Sequence, residues 1–192
     1  MRVLQFGRFW NAQHGGLERH VALLGQGLAA QGVDVVNLVA ATGRVGSDEI
    51  LGGYRLVQVP SFGMAYGTAL SPALPFKALA LHREQPFDLF HLHLPDPLSH
   101  LASMLLPGNV PRVITWHSDI VRQKRLLRLY QPFLSRLVRH ADALVAATQA
   151  HFDSSTQIPE DVALAKRHVI PFGLDYGPLQ LDARTMALRD EL

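Results

Sequence analysis

Three groups of residues carry types and spacings that could do chemistry. The first is Gly15-Gly16, which follows the apolar run Val3–Phe6 and a polar loop. It precedes Leu17, Val21, Leu24 and Leu28 at helical spacing, with Glu18 in the first turn. The first amides of a helix lack partners and its dipole favours negative charge there, so a strand, a glycine turn and a helix start can hold an anion. Without a Cβ at 15 and 16, a phosphate can come close to the backbone. The competing reading is that the glycines only let the chain bend. The second group is histidine. His117 stands directly after Arg112–Trp116, at the carboxyl end of an apolar run. Its imidazole could hold a sugar hydroxyl or a developing charge, or merely cap the strand; position alone leaves both open. His91 and His93 alternate on one strand face, about 7 Å apart. With His100 or His117 they suggest zinc, but no carboxylate or cysteine completes a tetrahedral set, so no metal is expected. His91 reads as internal packing and His93 as lining a ligand cleft. The third group is basic: Arg122, Lys124, Arg125, Arg128, Arg136 and Arg139, with no acid between 120 and 140. Leu126, Leu127, Tyr130, Phe133, Leu134 and Leu137 mark the expected buried side of that helix. Such a face either rests on an anionic membrane or phosphorylated acceptor, or is simply solvated.

Other chemistries lack support. The glycine loop fails the G-x-G-x-x-G pattern, and Ala40-Ala41-Thr42 supplies no acid for a ribose, so phosphate is expected and NAD is not. There is no G-x-S-x-G elbow and no G-x-x-x-x-G-K loop. With no cysteine, disulfides, thiolate nucleophiles and cysteine-based metal sites are excluded, which suits a reducing cytoplasm. A net charge of +2 gives no nucleic-acid footprint despite a pI of 9.2. The start of the chain does not read as a signal peptide, and no run approaches the about 18 apolar residues of a membrane span. The final Arg-Asp-Glu-Leu is read as the accidental end of a helix.

The elements that must position these groups alternate. The length of 192 residues and 48% hydrophobic content allow one packed domain. Strands are expected at 3–6, 33–39, 54–59, 88–94, 112–116, 141–148 and 168–171. Helices are expected at 17–31, 76–84, 98–106, 120–140 and 149–156, with Pro132 kinking or splitting the long one. Asp96 should cap the helix that Pro97 opens. Residues 42–53 and 60–75 read as loops, and Gly25 and Gly27 as close helix-on-sheet packing. The alternation predicts an α/β fold, a doubly wound, Rossmann-like parallel sheet of about seven strands, with ligands at the strands' carboxyl ends.

Five stretches in this order resemble the N-terminal half of GT-B retaining glycosyltransferases of family 4 (glycosyl transferase group 1). They are the strand and loop ending Gly15-Gly16-Leu17-Glu18, then Phe87–His93, Thr115-Trp116-His117-Ser118-Asp119, Ala141–Thr148, and Val169-Ile170-Pro171-Phe172-Gly173-Leu174-Asp175. The resemblance implies a UDP- or GDP-sugar donor, a glycan or lipid-linked acceptor, retention, and no metal. Gly15 and Gly16 match the loop whose amides face the donor diphosphate. His117 matches a histidine that contacts the donor sugar near the reacting carbon. Phe9, Asn11, His14, Glu18, His93 and Asp119, with the 60–75 loop, become acceptor or cleft candidates. Work at the inner face of the cytoplasmic membrane would engage Arg122, Lys124, Arg125 and Arg128.

Two departures stand out. Phe172 replaces the asparagine often found in the Pro-x-Gly-x-Asp element. The family's donor-clamping Arg and Lys and its two glutamates eight positions apart have no counterpart: Glu18, Glu49, Glu84, Glu160 and Glu191 include no such pair. The expected organisation is an acceptor-side domain over 1–176, the start of a linker over 177–192, and an absent C-terminal donor domain, the fragment being inactive alone. Half of a GT-B nucleotide-sugar epimerase, or a stand-alone binding domain that docks a partner, stay open as alternatives.

Overall fold

A computed structural model describes residues 1–9 and 15–173. The chain runs β1 (Arg2–Phe9), α1 (Gly16–Ala30), β2 (Asp34–Ala40), β3 (Ser47–Leu51), β4 (Tyr54–Val59), β5 (Met64–Ala65) and β6 (Thr68–Ala69). It continues through α2 (Leu74–Glu84), β7 (Leu89–Leu94), α3 (Pro97–Met104), β8 (Arg112–Trp116), α4 (Lys124–His140), β9 (Ala143–Ala146) and α5 (Gln149–Ser154). A 3-10 turn, Leu164–Lys166, leads into β10 (Arg167–Val169).

Eight strands form one sheet in the order β10-β9-β8-β7-β1-β2-β4-β3, all parallel except β3. The chain builds outward from β1 through β2 to β4, then returns to lay β7 on the other side of β1. The direction of winding therefore reverses between β1 and β7, and a crevice opens there at the strands' carboxyl ends. The doubly wound expectation holds.

The main core lies on one face of the sheet. Leu4, Phe6, Leu38, Phe90, Leu92, Ile114 and Trp116 pack there against Leu74 and Ala78 of α2, Ala102 of α3 and Leu134 and Val138 of α4. Helix α1 covers the other face over Val35, Val39, Tyr54 and Leu56. Beyond α1, an apolar groove of about 470 Å³ runs between Leu24 and Leu28 on one side and Val113, Val145 and Ile170 on the other. Among the described residues no helix is long and apolar enough to cross a membrane.

Several expectations need correction. Residues 47–51, expected within a loop, form the eighth strand, an antiparallel edge on β4. All five of its residues are exposed, so it carries no alternation of burial to read. Its signal was the turn: Gly52 and Gly53 have φ of 58° and 88°, as a two-residue hairpin turn demands. The 60–75 loop contains the small β5–β6 hairpin. Pro132 neither splits nor ends α4, which starts at Lys124 rather than at 120. Gly25 packs tightly, its missing Cβ lying 2.8 Å from Asn37 Nδ2, but nothing lies within 4 Å of that position at Gly27. Leu126 and Phe133, assigned to the buried side of α4, are exposed, because only the C-terminal half of that helix packs on the sheet through Leu134, Leu137 and Val138. The capping expectation holds: Asp96 accepts from the amides of Leu98 and Ser99, with Pro97 opening α3.

Candidate functional site

The winding reversal brings the ends of β1 and β7 together, and the residues after them face one crevice. On the β1 side, α1 begins at Gly16 with Gly15 as its extended N-cap residue. Among the described residues no cap side chain reaches the first amides. The two glycines differ in task. A Cβ on Gly15 would collide with the carboxylate of Glu18, which folds back over it; nothing lies within 4 Å of the same position on Gly16. Gly15 makes room for an internal anion, and Gly16 keeps the way to the helix start open. Glu18 is buried and its Oε1 lies 3.3 Å from Arg8 NH2. The same guanidinium donates to the carbonyl of Gly67 at the hairpin tip, at 3.4 Å. Arg8 ends a buried strand and was not singled out from the sequence; a lone cation finishing an apolar run was its only signal.

On the β7 side the histidines gather. His93 Nδ1 lies 3.0 Å from His117 Nε2. His91 Nε2 lies 2.7 Å from Thr115 Oγ1, so it is internal packing, as expected. His20, one turn into α1, completes the group. Its ring meets His93 and His117 edge-on, with centroids 5.6 and 5.3 Å away, and packs on Phe172 at 4.1 Å. Phe172, where asparagine was expected, also touches His117, at 5.0 Å. It walls the imidazoles with an apolar ring instead of a polar side chain. His20 lies among the apolar positions of α1 and gave no separate signal in the sequence.

Burial sets the charge of this cluster. Desolvation, with lesser repulsion from neighbouring histidines, lowers His117 to about 3 and holds His93 well below its ordinary value. The same cause lowers His91 to about 4, and burial lowers His20 too. All four rings are neutral near pH 7 and act as hydrogen-bonding groups, not cations. One nitrogen from each of His20, His93 and His117 falls within 4.8 Å of the others, a grouping able to hold a cation. The hydrogen bond between His93 and His117 accounts for two of the rings without one.

Two cavities open at this place. One, of about 490 Å³, is lined by Gly16, Leu17, Arg19, His20, His117 and Phe172. The other, of about 410 Å³, lies between the hairpin tip and the segment leading into α4, and includes Tyr66, Arg122, Leu126 and Tyr130. Arg8, Pro95 and Ser118 line both, so the cavities adjoin. Phe9 and Glu18 line a smaller recess with Gly15 and Met64.

His93, expected to line the cleft, is instead buried at 1% exposure and reaches it only through its bond to His117. Asn11 and His14 lie outside the described residues. Asp119 edges the second cavity, but its oxygens accept from Trp116 Nε1, Ser155 Oγ, and the amide and hydroxyl of Thr156, at 2.6 to 3.2 Å. It ties the loop after β8 to the loop after α5. His100 bonds Tyr130 at 2.9 Å, linking α3 to α4 away from the imidazole cluster. Arg122, Lys124, Arg125 and Arg128 are all exposed, beside Leu126, Leu129 and Phe133, which are 48, 74 and 57% exposed.

Comparison with known proteins gives the family and the fold. The model of Glycosyltransferase Family 4 matches residues 14–177. The O-antigen chain mannosyltransferase C of Escherichia coli is 30% identical over 97% of the chain and 50% of its own length. The D-rhamnosyltransferase WbpZ of Pseudomonas aeruginosa is 32% identical over 91% of the chain and 45% of its own. The chain thus spans about half the length of the curated relatives it matches. In structure it resembles sucrose-phosphate synthase from Thermosynechococcus elongatus, with a TM-score of 0.67, 17% identity, and coverage of the whole chain and 52% of that protein. That likeness shows a GT-B, Rossmann-like domain. With residues 14–177 matched and the sheet wound as described, the chain belongs to Glycosyltransferase Family 4.

Proposed function

We propose that residues 1–176 are the acceptor-side lobe of a retaining transferase that moves a hexosyl or deoxyhexosyl unit from a UDP- or GDP-sugar to a glycan or lipid-linked acceptor. One observation carries this reading: the open helix start at Gly16 and the neutral ring of His117 line the same cavity, at the point where the sheet's winding reverses. The diphosphate sits against the first amides of α1, which meet its growing charge as it departs. His117, kept uncharged by burial, hydrogen-bonds a sugar hydroxyl near the reacting carbon. The bond from that carbon to the diphosphate oxygen breaks, a bond to the acceptor oxygen forms, and the acceptor proton passes to the departing diphosphate. No carboxylate is among the described residues lining this cavity, which is why the proton goes to the leaving group in this reading. No metal is assigned a part. In this reading, cations that grip the diphosphate from the opposite side come from a second lobe; that the chain spans about half the length of its relatives leaves room for one.

The experiment has two arms. Titration calorimetry of the 192-residue chain with UDP, GDP and NAD should show weak binding of one of the first two, weakened further by His117→Ala, and none of NAD. A radiolabelled-sugar assay should show no transfer by the chain alone. Tight NAD binding overturns the donor assignment, and robust transfer overturns the division into lobes.

A second reading concerns place. Leu126, Leu129 and Phe133 project from α4 among arginines, as on a helix that lies in an anionic interface. We propose that this face holds the protein at the inner surface of the cytoplasmic membrane, where a lipid-linked acceptor would be met.

A further inference from the structure

Tyr66 is the one described non-glycine residue with positive φ, at 52°. It precedes Gly67, φ 82°, at the tip of the β5–β6 hairpin. A two-residue turn of this kind favours Asn-Gly or Asp-Gly, and a bulky aromatic in the left-handed region is an outlier. Burial does not explain the choice, since Tyr66 is 77% exposed. The surroundings nevertheless hold the tip in place. Gln123 Nε2 donates to the Tyr66 carbonyl at 2.9 Å, and Arg8 to that of Gly67. At the hairpin's base, Ser61 Oγ donates to the Ala41 carbonyl at 2.7 Å and Ser71 Oγ to the Pro60 carbonyl at 2.8 Å. A strained residue fixed from several sides, with its side chain exposed, points to a task for that side chain.

The place of the ring says which task. Tyr66 lines the mouth of the 410 Å³ cavity that adjoins the Gly16–His117 cavity across Arg8, Pro95 and Ser118. That volume is of small-ligand size. An aromatic face takes the apolar C–H face of a pyranose, while the ring's polar rim and nearby donors take its hydroxyls. We propose that Tyr66 is the stacking platform on which a sugar ring of the acceptor lies in this cavity, with the gap beside Arg8 and Ser118 as the passage through which one hydroxyl faces the donor sugar. The inference rests on the transferase reading and adds to it the residue that grips the second substrate.

The test separates the two. The probe is mannotriose, titrated into the 192-residue chain and followed by the ring resonances of the tyrosines, with GDP and UDP titrated separately. Tyr66→Asn gives the turn the residue it prefers, so the hairpin should melt no earlier, yet mannotriose affinity should fall by about tenfold or more. Tyr66→Phe should keep that affinity. Nucleotide binding should be unchanged in both variants. If Tyr66→Asn binds mannotriose as the parent does, or the parent does not bind it at all, the platform is overturned, whatever the nucleotides do. If the nucleotides fail to bind while mannotriose binding depends on the Tyr66 ring, the platform stands as a saccharide site and the donor assignment falls.

Discussion

His93 Nδ1 and His117 Nε2 lie 3.0 Å apart across the β7–β8 ladder, so one ring donates to the other and the accepting ring cannot be protonated without breaking the pair. The register places His93 opposite Thr115, and His117, two residues on, reaches back while its own amide donates to the Leu94 carbonyl at 2.9 Å. The pairing fixes the ring of His117 toward the glycine side of the crevice. His93 Nε2, the other nitrogen of the partner, is buried without a partner of its own among the described residues.

Acid should therefore loosen this domain. His117 is lowered to about 3 and His91 to about 4, with His93 lowered further than its neighbours' charges alone would require, because burial comes first. An unfolded histidine titrates near 6.5, so below that pH the unfolded chain binds more protons than the folded one. The stability these rings contribute is complete above about pH 6.5 and falls steadily as pH drops toward their folded values. At pH 5 His117 and His91 should each cost about 2 kcal/mol. Asp96 pulls the other way, its carboxyl being raised by burial, but it is a single group. Urea midpoints at pH 7.5 and 5 measure the balance; equal midpoints would refute it.

The two glycines at the start of α1 should respond differently. Gly16→Ala meets open space and should leave stability unchanged or raise it by about 0.4–1 kcal/mol. The added methyl stands where the phosphate approaches, so GDP or UDP affinity should drop by about tenfold. Gly15→Ala makes the Glu18 carboxylate, the far end of a flexible side chain, swing aside and lose its place beside Arg8, and should cost up to about 1 kcal/mol. Thermal melts paired with calorimetry read both effects. Unaltered nucleotide binding by Gly16→Ala would move the diphosphate elsewhere.

Gly25 and Gly27 provide a packing control away from the site. A Cβ at Gly25 would stand 2.8 Å from Asn37 Nδ2 and 3.2 Å from Tyr54 Cδ1, both on buried residues. Gly25→Ala should destabilise by about 1–3 kcal/mol. Gly27→Ala meets nothing and should stabilise by about 0.5–1 kcal/mol. Denaturant midpoints in the reverse order would mean that α1 sits on β2 and β4 differently from the contacts described.

The exposed face of α4 should bind anionic vesicles through two separable parts. Replacing Arg122, Lys124, Arg125 and Arg128 with glutamine should abolish co-sedimentation with phosphatidylglycerol vesicles. Replacing Leu126, Leu129 and Phe133 with serine should leave only a salt-sensitive remnant. Equal sedimentation of all three proteins would leave these residues as a solvated surface.

Much of this was local and so legible in the sequence. The bounds of β8, the Asp96 cap with Pro97 behind it, and the helix starting at the glycine pair follow from periodicity and end signals within a few residues. The order of motifs was enough for the family. Tertiary structure alone decided the rest. Sheet order sets β7 beside β1, and only that adjacency brings His20 to His93 and His117, while the folding back of the β5–β6 hairpin brings Gly67 to Arg8. The edge strand β3 and the exposed start of α4 escaped for a related reason. Burial depends on what packs against an element, and a chain's own period does not say whether anything does.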